Sequence, residues 1–71
     1  MNLNEQVAKR IKELRIKHNL TQEELSFKLG LAHSSISQIE ALHGRNITLK
    51  TIQRICKTLN ISIEDFFKGI K

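Results

Sequence analysis

The sequence predicts an all-α fold, a compact five-helix bundle, and three observations carry that prediction. Apolar residues recur at three- and four-residue spacing, as in Val7, Ile11 and Leu14 or Ile52, Ile55, Cys56 and Leu59, which is the period of a helix buried along one stripe. Residues suited to starting or stopping helices separate those stripes, among them Thr21, Gly30, Thr48 and Ser62. Proline is absent, and no strand alternation competes, although 46–49 and 60–63 have local β-branched character.

The first helix is expected over about Asn4 to Lys17, with Val7, Ala8, Ile11 and Leu14 inward and Asn19 as a left-handed terminator. Thr21 and Glu24 form a T-x-x-E capping box that opens the second helix, and Gly30 closes it. A third helix is expected over about His33 to Leu42. Its N-cap would be Ala32, which offers no side-chain acceptor to the exposed N–H groups. Thr48 caps a fourth helix, about Leu49 to Leu59, whose buried stripe would be Leu49, Ile52, Ile55, Cys56 and Leu59. Ser62 and Asp65 resemble a second capping box, opening a last helix to about Lys68 with Ile63, Phe66, Phe67 and Ile70 at helical spacing.

With 71 residues the chain reads as one domain, 1–71, near the lower limit for independent stability, so dimerisation would help it. It holds no apolar run of the roughly 20 residues needed to cross a bilayer, and the N-terminus lacks the apolar region of a secretory signal. A cytoplasmic location is expected. The lone Cys56 supports no intrachain disulfide and sits on an apolar stripe, so it reads as a buried thiol.

Residues 22–41 read as two short helices hinged at Gly30. Leu25, Leu29, Ile36 and Ile39 bury one side of the pair. The outer side of the second helix then carries His33, Ser34, Ser37 and Gln38, short polar groups able to donate and accept hydrogen bonds in a DNA major groove. Charge supports the same division. The net charge is +5, with +3 in residues 1–20, −2 in 21–40 and +4 in 41–71. Positive side chains thus flank the proposed reading helix, as needed if they hold phosphates while neutral groups read bases.

These residues resemble the lambda-repressor/Cro-like (XRE) helix-turn-helix family, over about Val7 to Phe67. The most specific matches are Leu20-Thr21-Gln22-Glu23-Glu24-Leu25, Gly30 at the turn, and Ser35-Ile36-Ser37-Gln38-Ile39-Glu40. Two positions depart from the family. Ser26 stands where Ala usually makes a tight helix contact, and Ala32 stands where a Ser or Thr cap is usual. Both departures fit the fold at some expense in stability.

The resemblance implies a DNA-binding transcriptional regulator and carries roles to particular residues. Gln22 would bond a phosphate and brace the first recognition residue, His33. Ser34 and Gln38 occupy positions that most often reach bases, with Ser37 beside them, and Gln38 can pair bidentately with adenine. No Arg or Lys lies between His33 and Glu40, so a guanine contact would need His33, Arg45 or another loop residue. Arg15 and Glu40 would form a structural salt bridge positioning the recognition helix, with a phosphate contact from Arg15 as the alternative role. Arg45 and Asn46 fall in the loop that commonly clamps the DNA backbone, and Thr48 and Lys50 begin the fourth helix, another phosphate-binding position.

Catalysis finds little support. His33, Ser34 and Ser35 are adjacent on a helix and do not converge, and no acid is placed to orient the imidazole. His18, His33 and His43 lack metal-site spacing, so neither metal nor cofactor nor small-molecule ligand is expected. Double-stranded DNA and a second copy of the chain are the expected partners. The copies would meet through a C-terminal segment, about 61–71, using Ile63, Phe67 and Ile70, with Phe66 held by the core. All four could instead face inward. Arg45-Asn46-Ile47-Thr48-Leu49-Lys50 looks like controller proteins of restriction–modification systems, giving a homodimer on an inverted-repeat operator as the leading expectation. The alternative is an antitoxin-like module whose apolar C-terminal stripe binds another protein.

Overall fold

The computed structural model describes residues 2–70, leaving Met1 and Lys71 at the ends of the expected domain outside it. Helices α1 (Leu3–Lys17), α2 (Gln22–Lys28), α3 (Ser35–Ala41), α4 (Leu49–Thr58) and α5 (Ile63–Lys68) follow in that order, and no strand occurs among the described residues. No helix among them is long and apolar enough to cross a membrane.

Four helix starts are capped by short polar side chains. Asn2 Oδ1 accepts from Glu5 N at 2.9 Å, Thr48 Oγ1 from Thr51 N at 3.2 Å, and Ser62 Oγ from Asp65 N at 2.9 Å. At Thr21 both halves of the capping box form, with Glu24 N donating to Thr21 Oγ1 (3.0 Å) and Thr21 N to Glu24 Oε1 (2.8 Å). The Thr21 backbone N–H holds the Glu24 carboxyl below its usual pKa range. Each such cap is worth about 1 kcal/mol. Helix α3 is the exception, because its N-cap, Ser34, makes no side-chain cap bond.

The first four helices end in the same way. Asn19, Gly30, His43 and Asn60 take left-handed φ values of 57°, 71°, 52° and 57°. In each case the next residue's N–H reaches back five residues: Leu20 to Arg15 O, Leu31 to Ser26 O, Gly44 to Ile39 O and Ile61 to Cys56 O, all 2.9–3.0 Å. These paired closures satisfy carbonyls that a helix end leaves free. Asn19 and Gly30 carry the sequence signal. Asn and His also tolerate this conformation better than other side chains, which accounts for Asn60 and His43.

The core takes one face from every helix: Val7, Ala8, Ile11 and Leu14, then Leu25 and Leu29, Ile36 and Ile39, Ile52, Ile55, Cys56 and Leu59, and finally Phe66. Burial pushes the Cys56 thiol pKa up, as suits an inert space-filling group. Leu49 corrects the expected α4 stripe. It is 80% exposed at the first position of α4, on the rim of a groove, whereas Ile52 three residues on is buried. Arg10 ties the last helix down by donating from Nε to Phe66 O (2.9 Å) and from Nη2 to Asp65 O (3.0 Å). That cation is therefore committed to the fold.

Candidate nucleic-acid interface

Helices α2 and α3 turn about Gly30 and bury Leu25, Leu29, Ile36 and Ile39 on one side. At 100° per residue the opposite side of α3 carries Ser37 and Gln38, with Gln38 exposed and Ser37 half-buried. Gln38 Nε2 lies 3.5 Å from Ser34 Oγ. The helix itself starts later than the sequence suggests. Instead of beginning at His33 behind an Ala32 cap, it begins at Ser35, with exposed His33 and half-buried Ser34 in a turn ahead of it. The polar face is thus assembled from a turn and a helix.

A polar network fixes where α3 lies. Arg15 Nε donates to Glu40 Oε2 at 2.9 Å, while its Nη1 donates to Leu20 O at 2.8 Å. The two side chains are only 12% and 11% exposed. Gln22 Nε2 donates to Glu40 Oε1 at 3.0 Å. This replaces the expected Gln22–His33 brace, since the ion pair has already drawn a strong acceptor to the start of α2. One carboxylate on α3 is therefore held by α1 and by the first residue of α2. Charge-assisted bonds of this kind are short and directional, so they set orientation as well as energy.

Ser26 adds a second tie. Its side chain is fully buried, its Oγ donating to Gln22 O and accepting from Ile36 N, both at 3.0 Å. Ser26 thus does more than fit in an Ala position: its hydroxyl supplies a partner to an N–H in a helix start that lacks its own cap. Nothing in the residues around Ser26 marks a partner ten positions away.

The loop after α3 is seated by Gly44, which is buried and left-handed (φ 77°) against the start of α1. Asn4 Nδ2 donates to Gly44 O at 2.9 Å. Arg45 and Asn46 follow immediately and are exposed, Arg45 Nε donating to Leu42 O at 3.3 Å. Thr48 and Lys50 are exposed at the start of α4, but the Thr48 hydroxyl is already engaged as a cap. Arg45 is therefore tied to the C-terminal end of α3, on a loop whose backbone is anchored to α1.

The helix-turn-helix family matches residues 11–66 of the chain. The chain belongs to this family. Two uncharacterized HTH-type transcriptional regulators are similar to it. One, from Archaeoglobus fulgidus, is 42% identical over 59 residues, covering 82% of this chain and 80% of that protein. The other, from Methanocaldococcus jannaschii, is 41% identical over 59 residues, covering 82% and 86%. Among solved structures the wild-type restriction-modification controller protein C.Esp1396I superposes with a TM-score of 0.82 at 34% identity, covering 97% of this chain and 88% of that one. The same controller protein, as a tetramer in complex with its natural 35 base-pair operator, gives a TM-score of 0.79 at 35% identity, covering 96% and 90%.

The C-terminal apolar residues of this helix-turn-helix protein divide. Ile63 is 46% exposed, whereas Phe67 and Ile70 are half-buried against the chain's own core. Phe67 meets Phe66 edge to face, with ring centroids 5.1 Å apart. Two of the three residues expected at a dimer interface thus serve the fold with part of their surface. Phe67 also lines a shallow groove with Leu3 and Leu49.

Proposed function

We propose that the protein is a sequence-specific, double-stranded DNA-binding transcriptional regulator that acts as a homodimer on an inverted-repeat operator, in the manner of restriction–modification controllers. The observation that carries this reading is the pairing of a clamped helix with an open polar face: α3 is held through Glu40 and Ile36, while Gln38 stands exposed. Gln38 is the adenine-reading residue, with Ser37, Ser34 and His33 beside it. Arg45, Asn46 and Lys50 hold phosphates, together with Gln22 at the start of α2 and Thr48 at the start of α4. The similarity to an operator-bound controller protein supports the assignment.

Size supports a second copy, because one copy does not span two successive major-groove faces. The chain's longest dimension is 28 Å, whereas successive major-groove faces lie about 34 Å apart. Ile63 and the exposed parts of Phe67 and Ile70 form the surface where copies meet, joined by Leu49 across the groove. The chain works by binding in the cytoplasm and is not an enzyme.

Selection from a random duplex library tests this reading. The enriched site is expected to be twofold symmetric and preferred over scrambled DNA by about 10³ or more at physiological salt. An absence of enrichment would overturn sequence-specific reading and turn the search to a protein partner. If the dimer neutralises about 6 phosphates, log K falls with log salt at a slope near −5, and a flat response would sink the phosphate contacts. Gln38→Ala is expected to weaken the selected site by about 1–3 kcal/mol and relax preference at one base pair per half-site. An unchanged preference would remove Gln38 from the reading set.

A further inference from the structure

Ser26 is a buried hydroxyl ten residues from the N–H it satisfies, and that N–H belongs to the first turn of α3. In a helix beginning at His33, Ile36 N would donate to Ala32 O, four residues back. Here Ser35 N takes Ala32 O at 2.9 Å in a tighter three-residue turn, and Ile36 N goes to Ser26 Oγ at 3.0 Å. A four-residue backbone bond follows from Gln38 N to Ser34 O, at 2.9 Å.

We infer that Ser26 is a positioning residue for base recognition: by taking the Ile36 N–H it delays the start of α3 and holds His33 and Ser34 in a turn. Which groove edge those two side chains meet is then set from α2, by a group that never touches DNA. Ala32 belongs to the same device. With no hydroxyl at that position, nothing there competes to begin the helix earlier. Ser26 is not an accommodated defect, because both its donor and its acceptor capacity are used without leaving a buried side-chain polar atom unpartnered among the described residues.

The inference rests on the DNA-reading function proposed above, so its test has one arm without DNA. In the first arm, amide hydrogen exchange and backbone chemical shifts are compared for the wild-type protein and Ser26→Ala. The Ile36 amide is expected to be protected in the wild type and to lose protection about tenfold or more in the variant, as expected for removal of a buried hydrogen bond. His33 and Ser34 are expected to shift toward helical values. Unchanged protection and shifts would overturn the proposal, whatever the DNA behaviour. In the second arm both proteins are put through site selection at a temperature where each is fully folded.

Ser26→Ala is expected to change preference only at the base pairs under His33 and Ser34, and to lower discrimination of the wild-type site about tenfold. Affinity for scrambled DNA and the salt slope should stay as they were. An identical selected site with undiminished discrimination would reduce Ser26 to packing. If the wild type itself enriches no sequence, the regulator reading fails while the exchange arm still decides what starts α3. Ser26→Cys, close in size with a poor acceptor, replaces the alanine variant in both arms should that variant not fold.

Discussion

Gly44→Ala is expected to remove a large part of the protein's stability, while Gly30→Ala is expected to be tolerated. The two glycines have nearly the same backbone, with φ 77° and 71°. A side chain at either position therefore meets the same left-handed strain, about 1–2 kcal/mol. Their surroundings differ. A Cβ at Gly30 meets nothing within 4 Å, whereas one at Gly44 would lie against the Asn4 carbonyl, 2.9 Å from its carbon. Relieving that contact means moving either the start of α1 or the loop bearing Arg45 and Asn46, and overpacking of this kind adds about 1–3 kcal/mol. A combined loss of about 2–5 kcal/mol is a large part of the stability of so short a chain, since net stability runs near 0.05–0.15 kcal/mol per residue. Chemical denaturation of the two variants checks the comparison. Equal losses at Gly30 and Gly44 would mean that the contact with α1 has no energetic weight.

Arg15→Met is expected to cost about 3 kcal/mol, because it strands a carboxylate that is nine-tenths shielded from solvent. The Leu20 carbonyl loses its charged donor in the same change. Among the described residues the Gln22 amide would be the side-chain donor left on Glu40, and a neutral donor does not offset a buried charge. Adding Glu40→Gln to Arg15→Met is therefore expected to recover a substantial share of the loss, even though two residues are then altered. Thermal denaturation of both single variants and the double variant measures the coupling. Simple additivity of the two losses would show that the pair contributes as separate surface charges, which in general are worth under about 1 kcal/mol.

Helices and core were largely legible because both are written in local chemistry. The 3.6-residue period in Val7, Ile11 and Leu14 and the reciprocal Thr21–Glu24 box need only neighbours within one or two turns. Leu49 was misplaced for the same reason. Periodicity assigns a stripe to a whole helix and cannot tell whether the core reaches its end residue, and Leu49, the first residue of α4, is left exposed.

By itself, then, the sequence determined the helical class, the order of the elements, nearly every buried residue, the polar character of α3 and the flanking positive charge. It also supplied the family resemblance, through motifs contiguous in the chain. Only the tertiary structure decided how that polar face is held and where it begins. Gln22 turned from His33 to Glu40, Ser26 reached Ile36, and Gly44 found room only against Asn4. Each is a bond or close approach between elements 10 to 40 positions apart. No local preference encodes such a contact: it exists only once the packed core has brought the two backbones within hydrogen-bonding distance, where a polar group left unpaired would cost more than the bond contributes.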